Sequence, residues 1–129
     1  MGGQKCPPFS SFISLSHEKR LEAYRDIIES MGKFTLQLQR ISLEFNSKKR
    51  IGELGEDGKV IMENFFVNYT RYRIFMPENI YRTLTLYLRA SSKAMTLIAS
   101  DQERFDLSLN DAIDKENEIV TLIQNNIGL

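Results

Sequence analysis

The chain has 129 residues, of which 42% are hydrophobic and 26% charged, proportions typical of a single soluble globular domain. Its 17 basic and 17 acidic side chains cancel, so binding to nucleic acid or to an anionic membrane would need a local basic patch. Cys6 is the only cysteine, which excludes an intramolecular disulfide and favours a reducing compartment. No stretch reaches the roughly 18 apolar residues of a membrane span. We therefore expect a cytoplasmic protein.

The first half of the chain predicts a flexible leader followed by one long helix. Residues 1–15 form the predicted leader, because Pro7 and Pro8 discourage regular structure, and residues 16–129 are predicted to form a single helical domain. Ser16 is the predicted N-cap of helix 1. Apolar residues then alternate at spacings of three and four, which indicates a helix packed lengthwise against another. These residues are Tyr24, Ile27, Met31, Phe34, Leu38, Ile41 and Phe45.

The segment 46–58 interrupts the helical pattern with three glycines. Neither a preceding strand nor a following Gly-Lys-Ser/Thr supports a phosphate-binding loop, so this segment is predicted to be a mobile connection between helices. Helix 2 is predicted over residues 59–75. Pro77 is predicted to open helix 3, because proline is tolerated in the first turn of a helix and excluded from its interior. The apolar arc of helix 3 is wide, which indicates a central helix or one covered by a partner.

The end of the chain predicts a short fourth helix over residues 109–126. Ser108 and Asp111 read as its capping residues, after an irregular acidic segment that begins at Asp101. Glu116 lies in the middle of the apolar face, where a carboxylate must be paired or lie at a rim, because an unpaired buried charge is costly. The predicted fold is all-α, an antiparallel helical hairpin extended to a three- or four-helix bundle.

Residues that carry common catalytic or metal chemistry are sparse. His17 is the only histidine, and no Glu-x-x-His motif, P-loop or nucleophile elbow occurs. The acids of helix 1 fall on its polar arc, which is typical of a solvated face. We therefore expect no enzyme activity, no cofactor and no metal.

Charge is unevenly distributed along the neutral chain. Residues 69–93 hold five basic side chains and one acid, whereas residues 101–118 hold seven acids and two basic side chains. On helix 3 the candidate partner-binding residues Arg82, Arg89 and Lys93 share one stripe, within about 40° at 100° per residue. Three interpretations stay open: solubilising arginines or arginines paired with helix 4, a surface for nucleic acid or another polyanion, or a contact for a helical partner or a second copy.

The tyrosines of the same region are expected to face away from these cations. Base stacking needs exposed rings beside basic side chains, and the helical projection turns the rings toward the core. The tyrosines in question are Tyr69, Tyr72, Tyr81 and Tyr87.

Two segments, KRLEAYRDIIESM (19–31) and YRIFMPENIYRTLTLYLRA (72–90), together resemble the helical hairpin of a broad set of small uncharacterised bacterial proteins. Many of those proteins carry one transmembrane helix before the hairpin, and this chain lacks such a span. The resemblance covers residues 17–100 and implies a bacterial helical domain with no activity or cofactor to carry over. The predicted function is non-catalytic, through protein–protein contacts or self-association, which the surplus apolar Leu36 and Leu43 also favour. Polyanion binding through helix 3 is the alternative.

Overall fold

A computed structural model describes the backbone of residues 9–128 and the side chains of residues 17–128. Within this range the chain forms four α-helices and no strand, which confirms the all-α prediction and sets the number of helices at four. The helices are α1 (Phe9–Leu43), α2 (Ile51–Arg71), α3 (Glu78–Thr96) and α4 (Gln102–Asn126), and a short 3₁₀ turn (Arg73–Phe75) precedes α3. None of these helices combines the length and the hydrophobicity that a membrane crossing requires.

Side-chain hydrogen bonds show that α1 and α2 run in opposite directions. Near the end of α1, the Gln37 amide donates to the carbonyl of Leu54, at 2.9 Å. Closer to its start, the Asp26 carboxylate accepts from the Tyr72 hydroxyl at 2.5 Å. The middle of α1 therefore meets the end of α2 and the last part of α1 meets the start of α2, as expected for the predicted antiparallel hairpin.

The fourth helix lies antiparallel to α1 on another side. Ser42, near the end of α1, donates to Asp106, near the start of α4, at 2.6 Å. Tyr24, near the middle of α1, donates to Asn126, the last residue of α4. The α3 helix runs antiparallel to α2, because the Tyr69 hydroxyl is hydrogen-bonded to Thr85 and Ser92 donates to Met62, so the bundle has an up-down-up-down arrangement.

The predicted seam of helix 1 is confirmed, because all seven of its residues are buried. At its centre Phe34 meets Phe65 of α2 and Tyr87 of α3, with ring centroids 6.4 and 6.2 Å away. The rings of Phe65 and Tyr87 lie 5.2 Å apart and nearly perpendicular. Edge-to-face pairs of this kind stabilise a core by about 0.5–1.5 kcal/mol beyond area burial, so the cluster ties three helices together.

The prediction of a mobile connection over residues 46–58 is wrong from residue 51 onward, because α2 begins at Ile51. Gly58 is buried within this helix. A Cβ at this position would lie 3.1 Å from Cε of Met95 and 3.5 Å from Cδ1 of Ile41. Glycine therefore allows α2 to approach α1 and α3 closely, which gives a packing reason for a residue that normally weakens a helix.

The starts of α1 and α4 also differ from the prediction. α1 begins at Phe9 rather than after Ser16, so residues 9–15 of the predicted leader are helical, while residues 1–8 lie outside the described range. α4 begins at Gln102, because the Asp101 side chain accepts a hydrogen bond from the Arg104 amide at 3.1 Å and caps the helix. Ser108, the predicted cap, is buried inside α4.

Candidate interaction surface

Two depressions lie on the side of the bundle that α2 and α3 form: one on α3 and the segment just before it, and one between α2 and α3. These two helices pack against each other less extensively than α1 packs on α2 or α3 on α4. The seam between these helices therefore leaves side chains of both accessible from outside the bundle, and we call this seam together with the neighbouring face of α3 the α2–α3 surface.

The first depression, called the basic depression here, has a volume of about 680 Å³. It brings together two of the three predicted partner-binding residues, Arg82 and Arg89, and adds Arg73 from the 3₁₀ turn. Lys93 is exposed farther along α3 and is not among the lining residues. The lining consists of Arg73, Met76, Glu78, Tyr81, Arg82, Thr85, Leu86 and Arg89.

Within the basic depression a tyrosine ring lies directly beside a guanidinium. The central guanidinium carbon of Arg73 is 4.8 Å from the centroid of the Tyr81 ring, within the range of a cation–π interaction. The Tyr69 ring stacks on the same tyrosine, at 4.9 Å and 18°. The prediction that the tyrosines separate from the arginines is therefore wrong for Tyr81, which is only half-buried, and for Tyr72, whose ring centroid lies 5.9 Å from the guanidinium carbon of Arg71.

The other three tyrosines are buried, as predicted. The Tyr72 hydroxyl is hydrogen-bonded to Asp26, and this bond raises the pKa of Tyr72. Tyr87 donates to the carbonyl of Met31 at 3.1 Å and has the Thr35 hydroxyl at 2.7 Å. Burial raises the pKa of Tyr87. These two hydroxyls hold helices together, and their rings are not available to stack on a ligand.

The second depression, called the apolar groove here, has a volume of about 530 Å³. Phe66 lines it with 49% of its surface exposed, and its ring also stacks on Tyr69 with centroids 6.0 Å apart. Sequence reasoning missed this site, although an aromatic residue next to Phe65 and off the apolar face of helix 2 is a usable signal. The groove is lined by Met62, Glu63, Phe66, Val67, Leu88 and Ser92.

The basic residues of α3 make no ion pair with α4 in the described part of the chain. The ion pairs found there join residues no more than four apart. Arg82 lies 3.8 Å from Glu78, and both side chains are largely exposed, so this pair contributes little stability. The interpretation that the arginines pair with helix 4 is therefore wrong, whereas the solubilising and binding interpretations stay open.

Glu116 lies at the rim of the core, as the sequence requires. It is half-buried against α1, and its Oε2 would lie 4.0 Å from a Cβ placed on Gly32. Burial raises the pKa of Glu116, and the nearby Thr35 hydroxyl opposes that effect.

The candidate catalytic residue types are not assembled into a site in the described residues. His17 is exposed on α1. No three potential metal-ligating side chains cluster within that range. Asp26, one of the acids of helix 1, instead accepts the hydrogen bond from Tyr72.

The fold and its surface define a four-helix bundle with an accessible seam between α2 and α3. No protein-family model, curated protein or solved structure is significantly similar to this chain. The resemblance to bacterial helical-hairpin proteins therefore stays a prediction.

Proposed function

We propose that this chain is a non-catalytic interaction protein whose α2–α3 surface binds an amphipathic helix of a protein partner. The observation that supports this most strongly is Phe66, an aromatic residue half exposed in an apolar groove. Contiguous exposed apolar surface on soluble proteins usually marks a contact site. A groove between two helices accepts a third helix through apolar residues spaced three and four apart.

The charged residues beside the apolar groove predict which charges the partner helix carries along its flank. On the α3 side, the exposed Arg89 and Lys93 directly follow the groove residues Leu88 and Ser92. On the α2 side the groove is lined by the acidic Glu63. The partner helix should therefore carry aspartate or glutamate along the flank that faces α3, because complementary potentials favour encounter and fix orientation.

A titration with a designed helical peptide tests this proposal. The peptide carries leucines at helical spacing and glutamates along one flank, and the control peptide has lysines in place of the glutamates. We expect amide NMR shifts around Phe66, Leu88 and Arg89 with the acidic peptide only. Phe66→Asp should remove them, and Val60→Asp, at an exposed α2 residue outside the groove, should not. Absence of shifts, or equal shifts with Phe66→Asp, would contradict the proposal.

A second candidate function is polyanion binding at the basic depression. The observation that favours it is that Arg73, Arg82 and Arg89 line one depression, in which the Arg73 guanidinium lies over the half-buried Tyr81 ring. Phosphate contacts make binding steeply salt-dependent. We expect duplex DNA or RNA to bind at low salt and Arg82→Glu/Arg89→Glu to abolish that binding. No detectable binding at low ionic strength would reject this candidate.

The same proposal includes a location in the bacterial cytoplasm. It is supported by the single cysteine, which needs no oxidising compartment, and by the resemblance to bacterial hairpin proteins. Fractionation of the native host with an antibody against the chain tests it, and recovery in the membrane pellet after a salt wash would oppose it.

A further inference from the structure

Two exposed leucines of this chain lie in surroundings of opposite charge. Leu86 on α3 is 39% exposed, and Arg82 and Arg89 lie one helical turn before and after it. Leu107 on α4 is 63% exposed. It lies four residues after Glu103 and four before Asp111. The two acids and the two arginines are all exposed. We name Arg82, Leu86 and Arg89 the basic stripe, and Glu103, Leu107 and Asp111 the acidic stripe.

We propose that the basic depression binds the acidic stripe of a second copy of this chain. This inference goes beyond the proposed function, because it uses the basic depression rather than the apolar groove, and it names the partner. Leu107 would enter the depression beside Leu86 and Tyr81, which both line it, and the flanking carboxylates would reach the guanidinium groups. Carboxylate–guanidinium pairs that form around an excluded apolar centre give a contact both orientation and specificity.

The spacing of the two stripes supports the match. At about 1.5 Å rise per residue, the two arginines are roughly 10 Å apart along α3 and the two acids roughly 12 Å apart along α4. When Leu86 and Leu107 are in contact, each carboxylate of the acidic stripe therefore lies opposite a guanidinium group of the basic stripe. The match holds for parallel and antiparallel helices, because each leucine has the same charge on both sides.

Within one copy, ion pairs neutralise the charges of these two stripes only weakly. Arg82 pairs with Glu78 and Asp111 pairs with Lys115, each within one helix and at 3.8 Å. Lys115 is half-buried, whereas the other three side chains are exposed. Exposed pairs of this kind contribute about 0–1 kcal/mol. In the described residues no ion pair joins α3 to α4, so both stripes keep their charge for an external contact.

The contact joins two different surfaces, so it is head-to-tail. Each copy offers one basic and one acidic stripe, and association continues as an open chain unless it closes into a ring. A two-fold symmetric dimer would instead use one surface twice. This difference makes charge exchange a selective test.

Light scattering after size-exclusion chromatography tests the inference with full-length variants. At about 50 mM NaCl, where the Debye length is near 14 Å, we expect the wild-type mass to rise above 15.0 kDa with concentration. The variants R82E/R89E and E103K/D111K should each stay monomeric. The combined fourfold variant, with exchanged charges, should assemble again. K48E/K49E changes the net charge as much as R82E/R89E, at exposed residues of the turn before α2, and should behave like wild type.

Circular dichroism of each variant checks that a monomeric mass does not result from a failure to fold. Raising NaCl to about 0.5 M should weaken wild-type association on the order of tenfold, because the attraction is between exposed charges. A wild-type mass of 15.0 kDa at all concentrations, or a fourfold variant that stays monomeric, overturns the inference. If the wild type stays monomeric but the acidic peptide shifts Phe66, the proposed function survives without this partner. If it stays monomeric and binds duplex DNA, the polyanion candidate takes its place.

Discussion

Replacing the glycines of α2 one at a time by alanine tests the helix that begins at Ile51. Within a helix interior, alanine is more favourable than glycine by about 1 kcal/mol. The predicted mobile loop would show no such preference. The three glycines differ in surroundings, so the structure predicts a different result at each of them.

The geometry sets the magnitude at each glycine. A Cβ on Gly55 would lie 3.8 Å from two carbons of Ile98, an ordinary contact. The full gain of about 1 kcal/mol should therefore appear, a rise in Tm of about 3–5 °C for a chain of this length. A Cβ on Gly58 would lie 3.1 and 3.2 Å from Cε and Sδ of Met95. Overpacking costs about 1–3 kcal/mol, so Gly58→Ala should be neutral or destabilising.

Thermal and urea unfolding followed by circular dichroism measures these differences. Gly52→Ala is the control, because nothing lies within 4 Å of its Cβ and it sits in the first turn of α2. We expect a small gain there. If Gly55→Ala gave no gain, the helix would not begin at Ile51. If Gly58→Ala gained as much as Gly55→Ala, the close approach to Met95 would be wrong.

Three further predictions concern the core and α4. Tyr87→Phe should lower the free energy of unfolding by about 1–2 kcal/mol, since the hydroxyl bonded to Met31 and beside Thr35 is lost. Because the folded-state pKa of Tyr87 is raised, wild-type stability falls as pH rises above about 10, and urea titrations should show the deficit of the variant shrinking there. Glu116→Gln should raise Tm at neutral pH, because the pKa of Glu116 is raised in the folded state. The gain in Tm should vanish as pH falls below about 4, where Glu116 is protonated in both the folded and the unfolded wild type. A gain that is unchanged at low pH would refute this cause. Asp101→Ala should lower stability by about 1 kcal/mol through loss of the cap on α4, and an unchanged urea midpoint would contradict that start of the helix.

The helix that the sequence predicted best is α1, and the reason is physical. Its apolar residues alternate at three and four along the whole seam, so the period itself reports which face is buried. The start of α2 was missed because glycine counts against a helix locally. At Gly58 tertiary packing against Met95 and Ile41 reverses that preference. The start of α4 was missed because DQERFDL looks polar, whereas its Phe105 is buried with its ring 5.3 Å from that of Phe45.

The candidate surface was predicted only in part, for a different reason. Arg82 and Arg89 share a regular helix, so a projection at 100° per residue places them together correctly. Arg73 follows the end of α2 and lies in a 3₁₀ turn, where that projection no longer applies. Its contact with Tyr81 therefore depends on how the turn redirects the chain. Pro77 was the available signal for this turn, because the α conformation is disfavoured for the residue before a proline.

The most direct test is whether the basic stripe of one copy attracts the acidic stripe of another. Static light scattering measures this attraction as the osmotic second virial coefficient, at a series of salt concentrations. We expect a negative coefficient at low salt that rises toward zero as salt is added, because screening weakens attraction between exposed opposite charges. A coefficient that is positive at low salt, or one that does not change with salt, would contradict it.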